Sequence, residues 1–89
     1  MLTGSAMKIT IKYFASIREA IGQGSEVRNT SATTLSALRD ELLLASPSHA
    51  QALARGKSVR MALNQVMRDE SALMTEGCEV AFFPPVTGG

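Results

Sequence analysis

The chain has 89 residues, 45% of them hydrophobic, with nine Lys and Arg against eight Asp and Glu. That is one domain, apolar enough to fold, but with a thin core and no room for a deep internal pocket, which weighs against a self-contained enzyme. The basic residues are scattered from Lys8 to Arg68 and never form a run, which argues against nucleic acid or an anionic membrane as partner.

In chain order, Met1–Ala6 is small and polar and stands apart from the residues after it. Met7 reads as a natural start, and residues 1–6 as a vector-derived leader or an alternative start. From Met7 to Phe14 the pattern alternates: Ile9, Ile11 and Tyr13 on one face, Lys8, Thr10 and Lys12 on the other. A period of two with β-branched residues predicts a half-buried strand. Ala15–Ile21 predicts a short helix, with Ile17 and Ile21 one turn apart, broken by Gly22-Gln23-Gly24. Ser25–Asn29 is a second strand. Thr33 or Thr34 caps the next helix, in which Leu35, Leu38 and Leu42 fall at helical spacing and Arg39, Asp40 and Glu41 turn mostly outward. Ser46-Pro47 ends it. Ser48–Arg55 predicts a further helical turn, closed by a left-handed Gly56.

Val59, Met61 and Leu63 alternate as a third strand. Asn64-Gln65 is a tight turn into Val66-Met67, and Glu76-Gly77 a turn into a last strand, Cys78–Phe83. Pro84-Pro85 stops it, because neither proline can donate to a ladder. The fold class expected is α+β: one mixed sheet with a main helix on one face. The domain is residues 7–83, and residues 84–89 are an extended tail.

The sequence carries no usual catalytic set. Gly22-x-Gly24 lacks the rest of a phosphate loop. One Cys and one His cannot supply a zinc site. His49 is expected at the solvated surface, as are the charged pairs Asp40-Glu41 and Asp69-Glu70. Cys78 has no histidine near it in sequence and reads as a plain strand residue. A lone cysteine allows no internal disulfide and fits a reducing compartment. No apolar run approaches the ~18 residues of a membrane span, and no signal-peptide pattern opens the chain. A cytoplasmic protein is expected.

The tail is the remaining candidate. If Val80 and Phe82 face the helix, Phe83 faces outward beside Pro84, where it either caps the edge of the core or forms a docking site, as exposed contiguous apolar surface does. Beyond it run Pro84, Pro85, Val86, Thr87, Gly88 and Gly89. Prolines favour an extended form, and six residues at about 3.3 Å each reach roughly 20 Å. The glycines carry no side chains, so the tip can thread a narrow channel and let another protein's groups approach its carbonyl. A carboxylate becomes an acyl donor only once joined to a good leaving group, such as an adenylate.

The block Glu79-Val80-Ala81-Phe82-Phe83-Pro84-Pro85-Val86-Thr87-Gly88-Gly89 resembles the tail of the small, sulfur-carrying subunits of molybdopterin synthase, members of the ubiquitin-like β-grasp group. Tyr13–Gly22, Thr34–Arg39 and Ala62–Gln65 support the resemblance, which covers nearly all of Met7–Gly89. It implies a β-grasp fold and a non-catalytic subunit that binds no cofactor or metal. It implies that an adenylating enzyme related to the ubiquitin activators consumes ATP to adenylate Gly89, and that sulfur transfer then makes a thiocarboxylate there. Phe83, Pro84, Pro85, Val86, Thr87 and Gly88 would contact the large catalytic subunit in a heterotetrameric synthase, where sulfur passes to cyclic pyranopterin monophosphate. Alternatives are a thiamine-pathway sulfur carrier, against which the Phe-Phe-Pro-Pro block argues, a ubiquitin-like protein modifier, and an adaptor with an inert tail.

Overall fold

The computed structural model describes residues 6–85. The expected leader residues Met1–Ser5 and the tail residues Val86, Thr87, Gly88 and Gly89 lie outside them.

Alternation makes β1 (Met7–Tyr13) as expected: Ile9, Ile11 and Tyr13 are buried, and Lys8, Thr10 and Lys12 share the opposite face. The remaining strands are β2 (Ser25–Thr30), β3 (Arg60–Leu63), β4 (Val66–Arg68) and β5 (Glu79–Phe83), in the order β2-β1-β5-β3-β4. Antiparallel pairing joins β1 to β2 across the intervening α1, β3 to β4 in a hairpin, and β3 to β5. The two central strands, β1 and β5, pair parallel, with Ile11 beside Val80 and Tyr13 beside Phe82. The β3–β4 hairpin turns on Asn64 and Gln65, both left-handed at φ 50° and 70°. Its twist therefore matches that of the strands it joins.

One face of the sheet is covered by helices. In α2 (Leu35–Leu43), Leu35, Leu38 and Leu42 are fully buried. Thr34, not Thr33, caps it, its hydroxyl accepting from the Ala37 N–H. In α1 (Ala15–Ile21), Ile17 reaches the core, and left-handed Gly22 ends the helix. The shorter α3 spans Pro47–Ala52. It begins one residue earlier and ends three earlier than the pattern predicts, and Leu53 occupies its C-terminal cap. Gly56 is not left-handed and does not cap it.

The polar residues depart furthest from expectation. Arg39, predicted to turn outward, is 3% exposed. Its guanidinium donates to the carbonyls of Leu53, Ala54 and Lys57 and to Glu70. It thus caps the Leu53 carbonyl at the end of α3 and adds charge-assisted bonds to the Ala54 and Lys57 carbonyls, which also accept the Lys57 and Val59 N–H groups. The acidic pairs are not merely solvated either. Asp40 and Glu70 hold Arg55. Glu41 accepts from Arg28 at 2.6 Å and from the Thr30 hydroxyl. Asp69 accepts from the backbone and hydroxyl of Ser71.

His49 is buried, not at the surface. Ser46 caps α3 by accepting from the His49 backbone N–H, and its hydroxyl lies 2.7 Å from Nδ1 of the ring. With the serine hydroxyl donating to Nδ1, Nε2–H is left to donate to Glu26, 3.0 Å away. The Tyr13 hydroxyl donates to the same carboxylate at 2.7 Å, and the His49 ring meets the Tyr13 ring edge-on. Ser46, His49 and Glu26 have the composition of a hydrolytic triad. Here, however, the serine is a helix cap bound to its own turn and the carboxylate is shared with Tyr13, so the group ties α3 to β1 and β2.

Burial pushes the Glu26 carboxyl up. The hydrogen bonds from Tyr13 and His49 and the charge of Arg28 outweigh that and hold it below the usual glutamate range. Burial, reinforced by Glu26, pushes the Tyr13 hydroxyl the other way, well above its ordinary value. A lowered folded value means the unfolded chain takes up the proton first, so the stability Glu26 supplies is complete above the ordinary value of 4.5 and falls away as the pH drops through the folded value. Urea titrations between about pH 5 and about pH 3 should show a shallower loss of stability for Glu26→Gln than for the parent. An identical slope would mean that this carboxylate is not held as described.

Candidate functional site

The uncovered face of the sheet is built by β5. Val80 and Phe82 are fully buried against the helices, which turns Ala81 and Phe83 to the other side. Phe83 lies on the outer face beside Pro84, as expected, but is half-buried rather than exposed. It stacks on Phe14, with ring centroids 4.7 Å apart and planes within 8°. Phe14 follows the last residue of β1 and donates its N–H to the Phe82 carbonyl. At Ala15 the chain takes a left-handed φ of 53° and enters α1. Tyr13 is thus in the core while Phe14 stands 40% exposed on the outside.

Ala62 and Ala81, paired across β3 and β5, make a flat floor of small side chains between Phe83 and β4. Met67 of β4, half-exposed, borders it. Two open grooves of about 310 and 340 Å³ lie on this face and share Phe14, Met67 and Phe83. Pro84, where the tail begins, lines the larger one together with Arg60. At the other end Lys12 lies 3.8 Å from Glu79.

Among the described residues this face pairs no nucleophile with a base. No group of three or more His, Cys, Asp or Glu among the described residues could hold a metal ion. Cys78 is buried just before β5, in keeping with a plain structural residue. The arrangement suits docking rather than chemistry, with an apolar platform of stacked aromatic rings at the root of a tail. Of the expected site residues, Phe83 and Pro84 lie on the platform and Pro85 follows them, exposed. Val86, Thr87, Gly88 and Gly89 lie outside the described residues. Phe14 and Met67 are platform members that sequence reasoning missed. The available signal was Phe14 itself, an aromatic one step beyond a strand whose Tyr13 already fills the inward position.

A five-stranded mixed sheet with its helices on one face is a ubiquitin-like β-grasp domain. Residues 11–89 match the ThiS family, and the chain belongs to it. The chain is 40% identical over 81 residues to the molybdopterin synthase sulfur carrier subunit of Escherichia coli, a match covering 91% of this chain and 99% of that protein. In fold it is similar to the small archaeal modifier protein 1 of Methanosarcina acetivorans, with a TM-score of 0.76, 20% identity and coverage of 97% of this chain and 100% of the other. It is also similar to a chain in the complex of subunits 1 and 2 of the molybdopterin-converting factor from Helicobacter pylori, with a TM-score of 0.66, 23% identity and coverage of 93% and 100%.

The inward and outward places of adjacent phenylalanines are measurable. Phe82→Ser should cost about 4 kcal/mol or more in urea unfolding, since it empties a filled core position and buries a hydroxyl. Phe83→Ser should cost about 1 kcal/mol, the scale of one exposed aromatic contact. Equal losses would contradict the assigned alternation.

Proposed function

We propose that this chain is a sulfur carrier in molybdenum cofactor biosynthesis, the small subunit of a molybdopterin synthase. The observation that carries the reading is the match to the ThiS family, which runs to residue 89 and so takes in the Gly-Gly tip. The name of the E. coli relative supplies the pathway. The Phe14–Phe83 platform supports it physically, because a carrier without catalytic groups needs a docking face beside its reactive arm.

In this scheme the Gly89 carboxylate attacks the α-phosphate of ATP held by an adenylating enzyme related to the ubiquitin activators. Pyrophosphate leaves and an acyl-adenylate remains. Hydrosulfide attacks the acyl carbon, AMP leaves and loss of the remaining proton gives the Gly89 thiocarboxylate; from a persulfide donor the first product is an acyl disulfide, which a thiol reduces to the same thiocarboxylate. The platform then seats on the large subunit, and Val86, Thr87 and Gly88 carry Gly89 into that subunit's active site. There the thiocarboxylate sulfur bonds to cyclic pyranopterin monophosphate, water hydrolyses the resulting acyl–sulfur bond and Gly89 leaves as its carboxylate; two such transfers complete the dithiolene. Each partner supplies its own catalytic groups; the carrier supplies the platform, the reach and an unhindered acyl carbon. The carrier itself binds no cofactor, and the ATP is the activating enzyme's. The setting is the cytoplasm, consistent with a single buried thiol and with the absence, among the described residues, of any helix long and apolar enough to cross a membrane.

Two variants separate arm from platform. Removing Gly89 should abolish activation and molybdopterin formation while leaving thermal unfolding unchanged. Normal product from the truncated chain would overturn the scheme. Phe83→Asp should weaken binding to the large subunit by roughly a hundredfold in calorimetry, because a charge would be desolvated in an apolar contact. Unchanged affinity would remove Phe83 from the interface.

A further inference from the structure

Arg60 is the first residue of β3, paired with Phe83. Because Met61 and Leu63 face the core, Arg60 and Ala62 face outward. The Arg60 side chain lines the larger groove with Phe14, Met67, Phe83 and Pro84. It is exposed, and it forms no ion pair or side-chain hydrogen bond with another described residue.

The other charges near the platform are accounted for. Lys12 and Glu79 lie against each other at its far end. Arg68 is paired across the β3–β4 hairpin with inward-facing Met61, so it belongs to the opposite face. Arg39 and Arg55, by contrast, are each held by Glu70 on the helical side. Arg60 is therefore the unneutralised charge on the apolar platform, and it stands where the tail departs.

We propose that Arg60 sets the specificity of this face by pairing with a carboxylate on the large synthase subunit. The inference rests on the docking reading above and goes beyond it, since an apolar platform alone does not select a partner. Arginine suits such a place. Its guanidinium is weakly hydrated, its fork matches a carboxylate, and its apolar stem suits a groove shared with Phe83 and Met67. A partner surface that covers Phe14 and Phe83 must bury or border this guanidinium. One with an opposed carboxylate gains a charge-assisted bond, whereas one with a cation or only apolar atoms there is penalised. Charge complementarity at an apolar rim also speeds association and makes it sensitive to salt.

The test is calorimetry of the full chain against the large subunit from the same organism, at about 50 mM and about 300 mM salt. Arg60→Met keeps the apolar stem and removes the charge. It should bind about tenfold more weakly at low salt and lose most of the salt dependence. Arg60→Glu should bind about a hundredfold more weakly at low salt and should improve as salt rises, because two carboxylates then face each other. Arg60→Lys should recover part of the affinity. All three side chains sit on an exposed strand position, so their melting temperatures should stay near the parent's.

Parent-like affinity for both Arg60→Met and Arg60→Glu would overturn the proposal, as would equal weakening with no change in salt response. If in the same experiment Phe83→Asp abolishes binding, the docking reading stands and only the role of Arg60 falls. If the parent itself does not bind, the docking reading fails and this inference fails with it.

Discussion

The parallel pairing of β1 with β5 at the centre of the sheet is the constraint on which the remaining features depend. It joins the two ends of the domain, placing Tyr13 beside Phe82. It also sets the face on which every residue of β5 must lie. With Val80 and Phe82 fixed in the core, Phe83 has only the outer face available, and a strand has no intermediate option. The same pairing brings Phe14, one residue past β1, under the ring of Phe83. One core register thus determines the inner packing, the outer platform and the point from which the tail leaves.

The two faces divide the work. The helical side carries the polar ties: Arg39 on the carbonyls after α3, and Glu26 shared by Tyr13 and His49. No buried side-chain polar atom among the described residues lacks a partner. Such saturation matters in a small domain, where a single orphaned polar group costs a sizeable part of the net stability. The outer side holds the stacked rings, two facing alanines and Met67, with the Lys12–Glu79 pair at one end and Arg60 at the other. A face of this kind is poorly suited to chemistry and well suited to being covered. That division fits the proposed carrier role, in which the reactive carbon is handled by other proteins and the glycines at the tip leave it unhindered.

Much of this was legible before the structure. β1 and α1 follow from alternation and from a pair of isoleucines one turn apart, and the Asn64-Gln65 turn from its residue types. The outward place of Phe83 follows from the period of β5. The tail block is the most specific part of the family resemblance, with Tyr13–Gly22, Thr34–Arg39 and Ala62–Gln65 in support, and the match through residue 89 agrees with it. What escaped is long-range. Nothing in the local pattern says that Arg39 meets Leu53 and Glu70, or that His49 reaches Glu26 across 23 positions. Both residues are polar and sit near other polar residues, so a pattern based on spacing assigns them to solvent. Phe14 likewise becomes a neighbour of Arg60 and Met67 only through strand order, because β1 is far in sequence from the β3–β4 hairpin and hydropathy does not encode which strand lies beside which. Ser46-Pro47-Ser48-His49 did contain a readable signal, a serine cap three residues before a polar side chain able to fold back on it.

The central claim is that the Gly89 carboxylate is the group on which other proteins act. The most direct measurement is the intact mass of the full chain after incubation with its cognate adenylating enzyme, ATP and a sulfur donor. The account predicts a gain equal to the exchange of one oxygen for sulfur, located by fragmentation to Gly89 and absent when ATP is withheld. An unchanged mass under conditions in which the activating enzyme demonstrably consumes ATP, or sulfur found on Cys78 instead, would contradict it.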